Sequence, residues 1–402
     1  MKLGILGHGF VEWGGGLDFL RGVCGSLAAA DPEVELHLLL PTRGPRLQAR
    51  RVWRGARQMA YRALGRPVTE ARTPDVHLVR EMLEGPNGAL RTHEIDAGSA
   101  AVAAAVKRLA LCAVLPSVQP FGTGISVPWL GYIADFQHAH LPQFFSAQEI
   151  QARNTNFADM LQRAPGVIVN ARSVAHDIER FLPGRPARVT ALPFSAAPDP
   201  TWFTTNEPPL AHYGIDGPYF IISNQFWQHK DHLCAYRAFA RVLRQHPGLN
   251  LVCTGETSDF RNPGHFAMLC QEAQALSIDR RLHVPGLIPK RDQIALLRGA
   301  LAVVQPTLFE GGPGGGSVFD AVALGVPAIV SDVAVNLEIA EPTVSFFRAS
   351  DVAALAAAMS ARATAGHAVR PGAAELMAAG QRRRLACGRV LLEAVDRLRR
   401  TA

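Results

Sequence analysis

The segment from Gln305 to Asp332, QPTLFEGGPGGGSVFDAVALGVPAIVSD, constrains the fold of this chain more than any other part of it. Glu310 stands directly before six residues, five of them glycine, and an amphipathic stretch (Ser317 to Leu324) and a β-branched run (Val326 to Val330) follow. The pattern predicts a loop that leads into a helix N-terminus and then a strand. Glycines let backbone N–H groups approach a phosphate closely, and the helix dipole adds to the attraction. A flexible glycine connector with a surface glutamate is the alternative that this segment alone leaves open.

Strand and helix patterns alternate along both halves of the sequence. The strand patterns are KLGILGH, VELHLLL, the run from Trp129 to Ala134, GVIVN and RVTALPF in the first half, and YFIISN, LNLVCTG, LHVPG and LAVVQP in the second. Such alternation predicts an α/β fold with two parallel, doubly wound sheets, whose ligands bind at the carboxyl ends of the strands in a cleft between the two units. We expect domains over residues 1–200 and 208–375, and a helix over 376–402 that packs back on the first domain.

Length and composition indicate an ordinary globular protein. The chain has 402 residues, and single cores stop growing at roughly 250–300 residues, so two domains are expected. No apolar run approaches the ~20 residues that span a bilayer, and no signal peptide opens the sequence. The six cysteines are scattered and form no CxxC pair, which is typical of reduced thiols in a cytoplasmic protein.

The net charge of +7 is concentrated in one segment. Pro41 to Arg72 holds nine arginines and one acid, Glu70, so its local charge is +8 and the rest of the chain carries −1. Trp53 and Tyr61 lie among these arginines. A basic segment with aromatic anchors, here Arg43–Arg72, can lie on an anionic membrane surface, in this case the inner face of the membrane. A solvated basic loop is equally compatible with the pattern. No nucleic-acid-binding motif accompanies the charge, so we expect no nucleic-acid partner.

Six segments in a fixed order resemble the GT-B glycosyltransferases, and most closely glycosyltransferase family 4, the retaining enzymes that use nucleotide-sugar donors. The segments are the glycines Gly14 to Gly16, DFQHAHLPQFFS, APGVIVNARSVAHDIERF, SNQFWQHKDHLCAYRAF, LHVPGLIPKRDQIALLRGA and PTLFEGGPGGGSVFDAVALGVPAIVSD. The resemblance covers most of the chain. It implies the GT-B fold, in which two Rossmann-like domains with parallel sheets face an interdomain cleft.

The resemblance also implies roles for individual residues. Glu310 and His138 are expected to contact the donor sugar as catalytic residues, and Lys230 is expected to bind the donor diphosphate. The loop at Gly286 and Leu287 would hold the nucleobase. The remaining positions expected to bind the donor are Asn224, Gln225, Gly15, Gly16, Gly312, Gly314, Gly315, Gly316, Ser317 and Asp320.

Three of these positions depart from the family or compete with neighbours. Nine residues separate Glu310 from Asp320, where seven are common in the family, so Asp320 either binds the ribose or forms a capping-box pair with Ser317. Gln225 occupies the place of the usual arginine partner of Lys230. Lys230 therefore either contacts the diphosphate without a second cation beside it or is a surface lysine. His140 lies two residues after His138, on the same face if that segment is extended.

The expected reaction is the transfer of a sugar from a nucleotide-sugar donor to a glycan acceptor, and the acceptor is expected to be lipid-linked. Groups that stabilise charge on the leaving diphosphate lower the barrier most. The sequence has neither a DxD motif nor zinc-ligand spacing, so transfer without metal or cofactor is expected. A GT-B sugar-nucleotide epimerase and an inactive GT-B scaffold are alternatives. An NAD(P)-dependent oxidoreductase is a further one, although Glu12 breaks the dinucleotide fingerprint GHGFVE.

Overall fold

A computed structural model describes residues 1–11, 14–41, 90–96, 98–122, 124–204 and 208–400. The arginine-rich segment Arg43–Arg72, predicted to contact a membrane surface, lies outside these residues. Within them, no helix is both long enough and apolar enough to cross a membrane.

The first half forms a seven-stranded sheet in which all paired strands are parallel. Its strands are β1 (Lys2–Leu6), β2 (Glu35–Pro41), β3 (Leu90–Ile95), β4 (Ala113–Ser117), β5 (Trp129–Ile133), β6 (Gly166–Val169) and β7 (Arg188–Ala191). They lie in the order β3-β2-β1-β4-β5-β6-β7, so the direction of winding reverses between β1 and β4. The helices are α1 (Gly14–Ala30), α2 (Ser99–Leu109), α3 (Gln137–His140), α4 (Ala147–Arg163) and α5 (Arg172–Phe181).

The second half repeats the arrangement with six parallel strands. Its strands are β8 (Tyr219–Ser223), β9 (Asn250–Thr254), β10 (Leu282–Gly286), β11 (Ala302–Gln305), β12 (Ala328–Ser331) and β13 (Val344–Phe347). The order β10-β9-β8-β11-β12-β13 reverses between β8 and β11. The helices are α6 (His232–Leu243), α7 (His265–Ala275), α8 (Lys290–Gly299), α9 (Gly315–Ala323) and α10 (Val352–Ala365). The predicted α/β architecture of two doubly wound parallel sheets is confirmed.

The central strands are buried along their whole length, which explains their continuous apolar sequences. Every residue of β4, β5 and β9 is buried, because helices cover both faces of a parallel sheet. The strands β3 and β4 and the helix α2 had no counterpart among the sequence patterns. The segment LRTHEI of β3 is half-exposed at the sheet edge and carries little apolar periodicity.

The last helix, α11 (Ala373–Arg399), crosses back to the first sheet. Its residues Cys387, Leu391, Val395 and Leu398 belong to the same buried core as the strand β1. At Gly388 a side chain would meet the carbonyl oxygen of Ser26 at 1.9 Å, so glycine lets α11 and α1 approach closely. The domain boundaries at 200, 208 and 375 stay predictions.

Candidate active site

The glycine loop follows the carboxyl end of β11 and leads into α9. Gly314 and Gly315 adopt left-handed backbone angles, with φ of 71° and 62°. Glycine enters this region without steric cost, whereas other L-residues are strained there. Gly316 lies in the first turn of α9, is exposed, and has open space where a side chain would stand. The N–H group of Gly315 is bonded to the carbonyl oxygen of Gly312 at 3.3 Å, and that of Gly314 to the side-chain oxygen of Asn336 at 2.8 Å. The N–H group of Gly316, in the first turn of the helix, has no side chain to shield it.

The other two loop glycines are explained by the first domain. A side chain at Gly311 would stand 2.9 Å from a carboxylate oxygen of Asp135, and one at Gly312 would stand 3.3 Å from Cβ of Asn170. The Asn170 amide also donates a hydrogen bond to the carbonyl oxygen of Gly311, at 3.1 Å. These glycines allow the glycine loop to contact the first domain directly, a role that the sequence alone did not indicate.

A buried polar network joins the end of β8 to the start of the glycine loop. Lys230 Nζ forms an ion pair with Glu310 Oε1 at 2.6 Å, and the Gln305 amide donates to the same oxygen at 2.6 Å. The Asn224 amide and the Ser317 hydroxyl both donate to the amide oxygen of Gln305. Lys230 is therefore a largely buried member of this network and not a surface lysine. Its contact with the donor diphosphate stays a prediction.

Gln305 is the centre of this network and was missed in the sequence. It is completely buried and contacts three of the predicted site residues. Its position in the sequence could have indicated this role. Gln305 is a polar residue at the end of the otherwise apolar strand pattern LAVVQ, and a buried polar residue needs polar partners.

A cavity of about 270 Å³ lies between the two domains next to this network. Five predicted donor-binding residues line it, namely Gly15, Gly312, Gly315, Gly316 and Asp320. Much of the remaining wall is apolar or aromatic: Phe19, Val23, Leu192, Phe194, Trp202 and Phe319. An apolar pocket with a few convergent polar groups is the usual form of a small-molecule site.

Asp320 faces this cavity and forms an ion pair with Lys290. Burial raises the pKa of the Asp320 carboxyl, and the neighbouring Lys290 ammonium opposes that effect. The capping-box alternative for Asp320 is wrong: α9 begins two residues before Ser317, its N-cap is Gly314, and no side chain caps it. The Ser317 hydroxyl instead bonds to Gln305. Lys290, which the sequence analysis did not single out, therefore belongs to the site.

His138 and His140 lie on a short helix and not on an extended segment. His138 is buried among the rings of Phe136, Phe145 and Phe157, and its Nε2 lies 2.9 Å from the Asn154 amide oxygen. Burial lowers the pKa of this imidazole. The ring of His140 instead lies 5.5 Å from that of Phe309, the residue before Glu310. The catalytic role of His138 stays a prediction.

Other predicted donor-binding residues lie at the margin of this arrangement. Gln225 is exposed, the Leu287 side chain is 70% exposed, and neither residue nor Gly286 lines the cavity. Gly286, with φ of 74°, turns the chain from β10 towards Lys290, which does line it. Gly16 belongs to the first turn of α1, next to Gly15. The predicted donor contacts of these residues stay predictions.

Solved structures with the same fold cover this chain almost completely. The sucrose-phosphate synthase of Thermosynechococcus elongatus is 16% identical and has a TM-score of 0.57, with 99% of this chain and 94% of that chain covered. Anabaena HepE, in complex with UDP and glucose, is 14% identical and has a TM-score of 0.58, with 100% of this chain and 99% of that chain covered. WaaG, a glycosyltransferase involved in lipopolysaccharide biosynthesis, is 13% identical with a TM-score of 0.55, and 99% of each chain is covered. The protein thus has the GT-B fold.

The sequence of the second half matches a protein family. Residues 213–362, which contain the network around Glu310 and Lys230, match the family described as "Glycosyl transferases group 1". These residues are therefore a glycosyltransferase group 1 domain, and the protein is a glycosyltransferase. None of the curated proteins matches the sequence of this chain significantly.

Proposed function

We propose that this enzyme is a retaining transferase that moves a sugar from a nucleotide-sugar donor to a hydroxyl group of a glycan. The observation that carries the proposal is the unshielded N-terminus of α9, which opens into the interdomain cavity beside the Lys230–Glu310 ion pair. A helix N-terminus with bare glycines suits a diphosphate. A buried lysine held by a carboxylate can add a positive charge at the same place.

The reaction assigns a separate task to each group. The bond between the anomeric carbon and the diphosphate oxygen breaks, and its electron pair leaves with the diphosphate. The acceptor oxygen bonds to the same face of that carbon and gives its proton to the departing diphosphate. Lys230 and the N–H group of Gly316 stabilise the developing negative charge, and Glu310, freed from Lys230, binds sugar hydroxyls.

The donor nucleoside would occupy the deeper part of the cavity. Asp320 lies about one turn along α9 from the proposed diphosphate position and pairs with Lys290, the first residue of α8. Its carboxylate can accept hydrogen bonds from the ribose hydroxyls. In Anabaena HepE, a protein of the same fold, UDP and glucose are bound together. That occupancy is consistent with a nucleotide-sugar donor here.

The donor proposal is tested by thermal shift with UDP-, GDP-, ADP- and dTDP-sugars, each with and without EDTA, against NAD(P). We expect one nucleotide-sugar class to raise the melting temperature, EDTA to leave that shift unchanged, and NAD(P) to have no effect. A shift with NAD(P) alone would instead support an oxidoreductase. Product analysis by NMR separates transfer from epimerisation, and donor binding without turnover would support an inactive scaffold.

For the acceptor we propose a lipid-linked glycan at the cytoplasmic face of a membrane. The support is the segment Arg43–Arg72, with a local charge of +8 over Pro41 to Arg72, and the fold shared with a lipopolysaccharide-assembly enzyme. Each arginine near an anionic surface contributes about 1 kcal/mol, so four contacts suffice for reversible binding at low salt. In liposome co-sedimentation, binding should require anionic lipid, weaken with salt and fall when Arg50, Arg51, Arg54 and Arg57 are replaced by Glu. Equal sedimentation with neutral vesicles, or none with either, would favour a soluble acceptor.

A further inference from the structure

A second interdomain pocket lies beyond Lys230, away from the glycine loop. Its volume is about 280 Å³, close to that of nine water molecules at ~30 Å³ each, which is enough for one sugar ring. The first domain contributes Gln143 and Phe144, and the second contributes the rest of the wall, including Gln228, His229 and Asn262. The pocket therefore exists only when the two domains are close together.

The chemistry of its wall is that of a site for a neutral, hydroxyl-rich molecule. Three amide side chains, Gln143, Gln228 and Asn262, can each donate and accept hydrogen bonds. The two from the second domain are already aligned, since the Asn262 amide donates to the Gln228 side-chain oxygen at 3.1 Å. The ring of Phe144 offers an apolar face to the C–H side of a sugar.

The charged and titratable groups of this pocket balance one another. Asp259 and Arg261 both line it and contribute one charge of each sign. Burial, together with nearby Lys230 and Arg261, lowers the pKa of His229 to about 2, so its imidazole is neutral at physiological pH. Among the described residues, the wall has no net charge that would attract a charged ligand. Hydroxyl groups, in contrast, can form hydrogen bonds with its amide, imidazole and charged side chains.

The pocket is also held rigidly. Asp259 accepts hydrogen bonds from the backbone N–H groups of Gln228, at 3.1 Å, and Arg261, at 2.9 Å. The Arg261 guanidinium lies 4.3 Å from the ring centre of Phe145, a residue of the first domain. The Nε atom of Arg261 is buried and has no hydrogen-bond partner within the described residues.

The Lys230–Glu310 pair is close both to this pocket and to the 270 Å³ cavity described above, which we call the donor cavity. On one side, His229 lines the pocket and directly precedes Lys230. On the other side, Glu310 lies against Gly315, where a side chain would stand 3.0 Å from Oε2, and Gly315 lines the donor cavity. Each pocket is thus lined by a residue that lies next to one member of the ion pair, as expected if one pocket binds the donor and the other the acceptor.

We propose that the pocket at Gln143, Gln228 and Asn262 binds an uncharged sugar unit of the acceptor glycan. This inference rests on the proposed function, because it assigns the acceptor subsite of that reaction.

The test uses the full chain and saturation-transfer NMR with methyl glycosides of glucose, galactose, mannose and N-acetylglucosamine, and with methyl glucuronide as a charged counterpart. The variant replaces Gln143, Gln228 and Asn262 by Ala. Its matched control replaces Gln151, Gln271 and Gln274, exposed amides on α4 and α7, by Ala. We expect at least one neutral glycoside to bind the wild type and the control, and to bind the pocket variant at least tenfold more weakly.

Nucleotide-sugar binding, measured by calorimetry on the same proteins, should be equal in all three. Undiminished glycoside binding by the pocket variant, no glycoside binding by the wild type, or preferred binding of the glucuronide would overturn the acceptor subsite. Absence of nucleotide-sugar binding in the wild type would overturn the proposed function. If glycoside binding still depended on the three amides, the pocket would stand as a carbohydrate site of another kind.

Discussion

The two halves of this molecule share a strand order but place different chemistry at the carboxyl ends of their strands. Near the start of α1, the first half stacks the rings of Phe10, Phe19 and Tyr132, with centroids 4.4 to 5.6 Å apart. At the corresponding edge of its own sheet, the second half assembles Lys230, Glu310 and Gln305. The family match covers only this second half. A shared backbone plan therefore determines where a site can be, and the side chains at the strand ends determine which half carries the polar network.

The first half contributes to the site through direct contacts with the second half. Glu338, from the second half, accepts hydrogen bonds from the backbone N–H groups of Arg172, at 2.9 Å, and Ser173, at 2.7 Å, and so caps the N-terminus of α5. That helix has no side-chain cap of its own. Together with the bond from Asn170 to Gly311, this contact fixes the glycine loop against the first domain. The comparison then predicts large effects from second-half site residues and smaller ones from the contact between the halves.

The largest effect is expected at Glu310. Glu310→Gln keeps the shape of the side chain but removes the charge that holds Lys230, and we expect kcat/KM to fall by about 10² to 10³ while the fold persists. Transfer assays and melting curves measure the two properties, with the exposed Glu375→Gln as the control. Turnover at the wild-type rate would show that the donor sugar is held elsewhere. It would also contradict the expectation that the network of the second half has the largest effect.

Lys230 comes next. Lys230→Ala should raise the donor KM and lower kcat, with roughly 10- to 100-fold lost in kcat/KM, because a charged hydrogen bond to the diphosphate strengthens as that group leaves. Calorimetry with the free nucleoside diphosphate isolates the binding component, and the exposed Lys107→Ala serves as the matched control. Unchanged nucleoside-diphosphate affinity would remove Lys230 from the donor site.

The contact between the halves should have a moderate effect. Glu338→Ala removes the charged cap of α5 and should lower the free energy of unfolding by about 1 kcal/mol. It should also increase the radius of gyration in small-angle X-ray scattering, because the domains separate more readily. Glu179→Ala, an exposed change on the same helix, should alter neither quantity. If the two variants behave alike, the halves close independently of this carboxylate.

The smallest effect concerns the pH dependence of stability at Asp320. Because burial raises the pKa of this carboxyl above its ordinary value of 3.8, the folded protein binds the proton more tightly than the unfolded chain does. Its stabilising contribution is therefore complete below that value and is lost as the pH rises through the folded pKa. Asn does not titrate, so the stability of Asp320→Asn relative to the wild type should increase as the pH rises above 3.8. Parallel stability curves for the two proteins would mean that Lys290 fully offsets the burial.

Local sequence predicted the elements that carry the site but not all the contacts within them. The glycine loop, the helix after it and the strand VPAIVSD could be read from Gly311 to Ser331, since backbone freedom and apolar periodicity are local properties. Lys230 was identified through family resemblance, and its pairing with Glu310 joins residues far apart in the chain. Gln305 and Lys290 were missed because a single glutamine or lysine becomes part of a site only through its partners in space.

The sequence by itself determined the two parallel sheets and the position of the glycine loop at a strand end. It also placed most of the predicted donor-binding residues in the second half. These follow from periodicity, glycine placement and short motifs, all of which act over a few neighbouring residues. Only the tertiary structure decided that Gly311 and Gly312 serve the contact with Asp135 and Asn170, and that two pockets flank one ion pair. Such contacts depend on the distance between the domains, and no local pattern in the chain encodes that distance.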